Sequence, residues 1–211
     1  MKFLNLITFA SLALATPLRR QQTVTGTIQG SVNTFSNGTL ATTNQINDAV
    51  AAIKSNVGAT VIVQLQGALR ANYQAIAQAL ILATTNIARV TTEAAGGIAA
   101  QARGLTDQQI VQLTAALRTA IDSAENIGAT VAITMTDLSP DARAAFQGEV
   151  DAVKDALNPF ITPLVLFATA VRNASASGSA AITGLDPALT NLIRLQGELM
   201  ASLGLPATTG S

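Results

Sequence analysis

The sequence contains no cysteine and no histidine among its 211 residues, and it has no tryptophan. A chain without cysteine carries no disulfide, so its apolar core must hold the fold together. The missing residue types also remove the commonest nucleophiles, general bases and transition-metal ligands. We therefore expect a protein that is not an enzyme, with no catalytic residue, no bound metal and no cofactor.

Charged residues are scarce as well, at 11% of the chain, with 12 basic and 12 acidic side chains. Pairs such as Asp122 and Glu125 lie at helical spacing, which is typical of a solvated helix face rather than an acid–base pair. The arginines do not form a basic stripe, which argues against nucleic acid as a partner. The surface must instead consist largely of Ala, Thr, Ser, Asn and Gln, and such a surface is easily laid against an apolar one.

The first 15 residues have the pattern of a secretory signal peptide. A basic Lys2 precedes an apolar run that ends at the small residues Ala13 and Ala15. The run is too short to span a bilayer as an anchor. We expect signal cleavage after Ala15 and, at the dibasic pair that ends at Arg20, removal of a pro-segment over residues 16–20.

The predicted mature chain is mildly acidic, since 12 − 3 = 9 basic residues remain against 12 acidic ones. Residues 21–204 are expected to form one helical domain, followed by a flexible tail over residues 205–211. The tail has no hydrophobic segment of the kind that directs a glycosylphosphatidylinositol anchor. We predict a secreted protein that resides outside the cell or in the cell wall.

Two glycosylation sequons agree with export. They are Asn37-Gly-Thr39 and Asn173-Ala-Ser175, and both lie in turn-like sequence. We predict N-glycans at Asn37 and Asn173.

The clearest structural pattern covers residues 106–133. Its apolar residues recur at steps of three and four, which places them on one face of an α-helix. Thr106 and Gln109 have the spacing of a capping box at its start. A second, longer stripe runs from Ile46 to Val90, and Gly58 together with the strand-like Thr60-Val-Ile-Val63 predicts a break or bend between Gly58 and Gly67.

Further helices are predicted on both sides of these two stripes. Residues 24–35 fit a short helix, or a strand by their period of two, that ends at the turn signal Ser36-Asn-Gly38. Residues 140–157 fit a helix capped by Ser139 and ended by Asn158-Pro159, and residues 160–171 fit a buried helix. A loop over residues 174–184 leads to a last helix that starts at Asp186-Pro187 and stops at Gly204 and Pro206.

Two parts of the chain resemble each other. Asn56-Val-Gly-Ala-Thr-Val-Ile-Val63 is echoed by Asn126-Ile-Gly-Ala-Thr-Val-Ala-Ile133, and Arg70-Ala-Asn-Tyr-Gln74 by Arg143-Ala-Ala-Phe-Gln147. Either the chain contains a duplicated two-helix unit, in which case the first copy should also break near Gln66-Gly67, or the similarity arises by chance in an alanine-rich chain.

We predict an all-α fold, an antiparallel bundle of about five to seven helices. Its two main stripes supply apolar residues suited to a flexible acyl chain. The candidate ligand-binding residues are Val57, Val61, Leu65, Leu69, Tyr73, Ile76, Leu80, Ile110, Leu113, Leu117, Ile121 and Ile127. Tyr73 or its neighbour Asn72 could offer a polar group to a carboxylate head, the alternative being a core tyrosine whose hydroxyl reaches solvent.

Several segments resemble the fungal hydrophobic surface-binding protein A and cell-wall galactomannoprotein family. They are Val32-Asn-Thr-Phe-Ser-Asn-Gly38, the signal with its basic pro-end, and Leu105-Thr-Asp-Gln-Gln-Ile110. The resemblance covers roughly residues 24–133, fits less well after Leu138, and the family's usual unit is shorter than this chain. It implies a secreted all-α bundle that binds hydrophobic surfaces or encloses fatty acids.

The sequence therefore predicts a secreted, non-catalytic protein that binds lipids or hydrophobic surfaces through apolar helix faces. The alternative is a structural cell-wall or host-interacting helical protein whose apolar faces serve only its own core.

Overall fold

The computed structural model describes residues 23–55, 58–175 and 179–203, and every regular element in these ranges is an α-helix. The helices are α1 (Val24–Lys54), α2 (Ala59–Thr91), α3 (Gly97–Ala102), α4 (Asp107–Asp137), α5 (Pro140–Ala144), α6 (Gln147–Ala174) and α7 (Ala180–Leu203). The prediction of an all-α bundle is confirmed. Among the described helices, none is both long and apolar enough to cross a membrane.

Several predicted features lie outside the described residues. These are the signal peptide ending at Ala15, the pro-segment ending at Arg20, Val57, the helix stop at Gly204 and Pro206, and the tail over residues 205–211.

The five long helices surround one core and alternate in direction along the chain. Hydrogen bonds join Thr25 to Gln112, Thr43 to Asn126 and Lys54 to Asp137, so α1 and α4 are parallel neighbours. Contacts of Gln66, Arg70 and Gln74 of α2 follow the same order along residues 142–149, so α2 and α6 are parallel as well. Helix α7 packs against α4 and α6.

Aliphatic side chains fill the core, with a few aromatic rings among them. The rings of Phe35 in α1 and Phe160 in α6 lie 4.7 Å apart, and Tyr73 and Phe146 are also fully packed away from solvent. Helices α4 and α7 approach closely at Gly128, where an added Cβ would lie 2.7 Å from Leu199 Cδ2. The bundle is thus held by apolar packing, as the absence of cysteine requires.

Helix α4 forms as predicted from its capping box. The Thr106 hydroxyl accepts the backbone N–H of Gln109, and the Gln109 side-chain oxygen accepts the backbone N–H of Thr106 at 2.8 Å. These two bonds satisfy donors that have no partner within the first turn of the helix. The Ser139 cap and the Pro140 helix start are also confirmed, although the helix they open, α5, ends at Ala144.

The predicted turn at Ser36-Asn-Gly38 is wrong, because α1 continues through it to Lys54. Asn37 and Gly38 lie on the solvent side of the helix. The inward stripe continues through Phe35, Thr39 and Ile46, all of them buried. Burial of this continuous stripe outweighs the local preference of Asn-Gly for a turn.

The predicted break in the second stripe occurs at its early end. Gly58 is the N-cap of α2, and the helix then runs without interruption from Ala59 to Thr91. The break expected by analogy near Gln66-Gly67 is therefore wrong. Gly67 is exposed, while Leu65 before it and Leu69 after it both pack against the core, so the apolar stripe continues past Gly67.

Two proline-based boundaries are also wrong. Pro159 and Pro163 lie inside α6, and Pro187 lies inside α7, which begins at Ala180 rather than at Asp186. Each proline removes one intrahelical hydrogen bond. In α6 the loss is offset by the buried side chains on either side of the prolines, among them Phe160 and Leu164.

The echoed segments occupy different structural positions. Residues 126–133 lie inside α4, whereas Gly58 to Val63 form the start of α2. Arg70 to Gln74 lie within α2, whereas residues 143–147 join α5 to α6. The second pair of segments is nevertheless in direct contact, since Tyr73 stacks on Phe146 and Arg70 donates to Ala145 O.

Candidate functional site

The predicted ligand-binding residues form the interior of the closed bundle. Ten of the twelve are packed against other helices, fully or in part: Leu65, Leu69, Tyr73, Ile76, Leu80, Ile110, Leu113, Leu117, Ile121 and Ile127. Val61 differs, because 43% of its surface is exposed. Both stripes thus face the core of the bundle, where α2 packs mainly against α1 and α6, and α4 mainly against α1 and α7.

Tyr73 is anchored by a polar contact at the centre of this core. Its hydroxyl lies 2.6 Å from Thr134 Oγ1, and the Thr134 hydroxyl in turn donates to Thr130 O at 2.8 Å. Tyr73 has no solvent exposure, so the expectation that its hydroxyl reaches solvent is wrong. Burial raises the pKa of the Tyr73 phenol to about 12, while the hydrogen bond with Thr134 acts in the opposite direction.

Two polar groups near Tyr73 have no partner among the described residues. Asn72 Nδ2 and Thr130 Oγ1 are both buried and form no hydrogen bond in this part of the chain. A buried donor without a partner destabilises the fold by about 1–3 kcal/mol. These atoms, with the Tyr73 hydroxyl, are the groups of the predicted site that could contact the polar end of a ligand.

Exposed aliphatic side chains on α2 form a second candidate surface that the stripe analysis missed. Val63 is 67% exposed, Ile81 59% and Leu82 48%. Val63 and Ile81 are 81 − 63 = 18 residues apart, which is five turns at about 3.6 residues per turn, so they point in the same direction. We call Val63, Ile81, Leu82 and Thr85 the outer face of α2. The sequence indicates this exposed surface in the run from Ala79 to Ala83, because five consecutive apolar residues cannot all point inward from a helix.

The hydroxyls of Thr84 and Thr85 on α2 are already bonded within the helix. Thr84 donates to Leu80 O at 2.8 Å and Thr85 to Ile81 O at 2.9 Å. A hydroxyl bonded to the preceding turn leaves the threonine methyl as the group best able to contact a surface. The outer face of α2 is therefore less polar than its composition indicates.

Charge is nearly absent from α2. The helix contains no carboxylate, and its charged residues are Arg70 and Arg89. Arg70 is paired with Glu149 at 3.4 Å and Arg89 contacts Asn86. Across the described residues, no cluster of three or more acidic side chains could hold a metal ion.

The two predicted glycosylation asparagines are both exposed. Asn173 lies in the last turn of α6, next to the connection to α7. Asn37 lies inside α1, and the hydroxyl of its sequon residue Thr39 donates to Phe35 O at 3.0 Å. The expectation of a turn at Asn37 is wrong, and glycosylation there stays a prediction that requires modification before α1 folds.

No protein-family model, no curated protein and no solved structure matches this chain. The resemblance to the hydrophobic surface-binding and galactomannoprotein family therefore stays a prediction. Function has to be argued from the residues and their geometry.

Proposed function

We propose that this protein is secreted and binds hydrophobic surfaces or lipids, including fatty-acid-like molecules, through apolar helix faces without catalysis. The observation that carries the proposal is the outer face of α2. There Ile81 and Leu82 are 59% and 48% exposed on a helix that has no carboxylate.

The free-energy change of adsorption supports this function. Removal of apolar area from water contributes about 25 cal/mol per Å2, whichever apolar surface replaces the water. On the outer face of α2, the hydroxyl donor of Thr85 does not have to be stripped of water, because it is already bonded to Ile81 O inside the helix. Adsorption through this face therefore gains apolar contact with little loss of polar hydration.

A second function is supported by the burial of the predicted ligand-binding residues. Leu69, Leu80 and Leu117 have no exposed surface. A bundle in which most of the predicted ligand-binding residues are buried also fits a structural or partner-binding protein of the cell wall. In that case the apolar stripes serve only its own stability.

Retention on an alkyl resin and binding to phosphatidylcholine vesicles test the proposal. The mature chain, residues 21–211, should be retained, and added sodium chloride should not release it because the contact is apolar. The double substitution Ile81→Gln/Leu82→Gln should lower vesicle affinity by about tenfold.

Ile193→Gln is the matched control. Ile193 is 48% exposed, as Leu82 is, but it lies in α7 beside the ion pair of Arg194 and Glu198. This substitution should leave binding unchanged. If the wild-type chain is neither retained by the resin nor bound by vesicles, the structural alternative is correct.

A further inference from the structure

Helices α1 and α2 form a hairpin with one covalent connection to α4 and the helices after it. Residues 55–58 join the two helices, and residues 92–106 lead from α2 to α4. The second connection contains three glycines with positive φ angles: Gly96 at 82°, Gly97 at 66° and Gly104 at 76°. Glycine adopts these conformations without the strain that other residues meet, and it also leaves them readily. Residues 97–102 form α3, which packs against α6, so the α1–α2 hairpin can change its direction relative to the rest of the bundle at Gly96 and Gly97.

The interface between α1 and α4 contains many buried hydroxyls that do not cross it. In α1, Thr39 donates to Phe35 O and Thr42 to Gly38 O. In α4, Thr114 donates to Ile110 O and Ser123 to Thr119 O. Each hydroxyl is satisfied by its own helix, so separation of the two helices leaves these donors paired.

The hydrogen bonds that do cross this interface are near its edges. Thr25 donates to Gln112 at 3.3 Å, Asn126 donates to Thr43 at 3.0 Å, and Lys54 pairs with Asp137 at 3.1 Å. Each of the three bonds is part-buried or exposed, so water can replace it at small cost. Most of what holds α1 to α4 is thus apolar contact, which a lipid surface can supply equally well.

The contact between α2 and α6 is similar. Arg70 and Gln74 reach Glu149 from the exposed side of α2. Among the described residues, the buried polar contacts of the hairpin with α4 that must break are those of the Tyr73 hydroxyl with Thr134 Oγ1 and with Thr130 O. A tyrosine released in this way suits the boundary between lipid and water, because it combines an apolar ring with a polar end.

We propose that the α1–α2 hairpin swings away from α4 and α6 about Gly96 and Gly97 and lays its inner face on a lipid–water boundary. The face it presents consists of Ile28, Val32 and Phe35 from α1 and Leu69, Ile76 and Leu80 from α2. This inference rests on the proposed function: the outer face of α2 makes the first contact with lipid in the closed bundle, and the inner face, which is buried in that state, replaces it when the hairpin opens.

Disulfide locks test the inference directly, since the chain has no cysteine of its own. Thr43→Cys/Asn126→Cys places a disulfide between α1 and α4 at positions whose side chains already form a hydrogen bond at 3.0 Å. Gly128→Cys/Leu199→Cys is the control, because it joins α4 to α7, which stay together in the proposed open form. The side chain of Leu199 is the one that a Cβ at position 128 would touch.

Binding of phosphatidylcholine vesicles is measured for each variant, oxidised and reduced. The oxidised lock between α1 and α4 should bind about tenfold more weakly than the wild type, and reduction should restore binding. The lock between α4 and α7 should bind as the wild type does in both states. The inference is overturned if the α1–α4 lock binds normally, or if both locks lose binding equally. Failure of the wild-type chain to bind at all would instead overturn the proposed function.

A measurement on the wild-type chain avoids any question of how the locked variants fold. Tyr73 is the only tyrosine and there is no tryptophan, so tyrosine fluorescence reports this residue alone. Vesicles that contain spin-labelled phosphatidylcholine should quench the fluorescence when the hairpin opens. Unchanged fluorescence at full vesicle binding would show that the bundle stays closed, and the inference would be wrong.

Discussion

The ring of Tyr73 lies nearly parallel to that of Phe146, with 6.1 Å between the ring centroids and 12° between the planes. The hydroxyl of the same tyrosine contacts Thr134, so one side chain joins α2 to α4 and to the start of α6. This arrangement makes Tyr73 a sensitive probe of the core.

Stability should fall at high pH because of Tyr73. The pKa of the Tyr73 phenol is about 12 in the folded protein, against 10.0 ordinarily. Between these two pH values the phenol is neutral in the folded protein and ionised in the unfolded chain. The stabilising effect is fully present below about pH 10 and is lost as the pH rises towards 12, by about 2–3 kcal/mol. Tyr73→Phe should lack this loss, although at neutral pH it removes a hydrogen bond that contributes about 1 kcal/mol.

Urea unfolding of both proteins at neutral and high pH measures this difference, and other titrating groups affect both equally. Absorbance of the tyrosinate ion gives the pKa directly, since Tyr73 is the only tyrosine. Ionisation of the folded protein near pH 10 would contradict the prediction.

Gly38→Ala should stabilise the protein by about 0.5–1 kcal/mol, because alanine is the better helix former and α1 is continuous at this position. A Cβ at Gly38 would meet nothing within 4 Å. The free energy of unfolding in urea, measured on unglycosylated protein, checks the value. Gly96→Ala is the control and should destabilise, since Gly96 has a φ of 82° and its Cβ would lie 2.6 Å from Ala100 Cβ. Loss of stability in Gly38→Ala would favour a turn in α1.

Gly128→Ala should destabilise the protein by about 1–3 kcal/mol through crowding against Leu199, despite the better helix propensity of alanine. The distance from the new Cβ to Leu199 Cδ2 would be 2.7 Å. Thermal or urea unfolding gives the change. In the background of Leu199→Ala the same glycine substitution should be neutral or stabilising, because the crowding atom is gone. Equal effects in both backgrounds would show that α4 and α7 do not meet at this point.

Export from a yeast host should yield a chain that starts at Gln21 and carries N-glycans at Asn37 and Asn173. The signal and the dibasic pair before residue 21 predict the start, and both asparagines are exposed. Mass spectrometry before and after enzymatic deglycosylation measures both. The variants Asn37→Gln and Asn173→Gln should each lose the mass of one glycan. A secreted chain that still begins at Met1 would rule out the predicted processing.

The helices and most of their core residues could be predicted from the sequence because apolar residues recur with the helical period over many turns. The stripe from Ile110 to Val131 and the capping box at Thr106 were sufficient for α4. Helix ends were harder. Asn37-Gly38 and Pro159 favour a break locally, but the continuous buried faces of α1 and α6 override them, and the strength of that packing is not visible in a short window.

The candidate site, like the helices, could be predicted only in part. Most residues of the two stripes are buried in the core, as their spacing predicts, while their role in ligand binding stays a prediction. The sequence could not show which helices these side chains pack against, since that depends on which helices are neighbours in the bundle. The outer face of α2 does not follow from the stripes, because they consist of inward residues, and Ile81 and Leu82 lie outside them.

The parallel pairing of α1 with α4 affects how the chain must be assembled. The three polar contacts between these helices join residues 87, 83 and 83 positions apart. During synthesis at about 5–20 residues per second, α1 and α2 are complete for several seconds before α4 has emerged to cover them. The apolar faces of the newly made hairpin are open to chaperones in that interval. Such distant contacts also predict slower folding than a bundle in which each helix packs only on the next one along the chain.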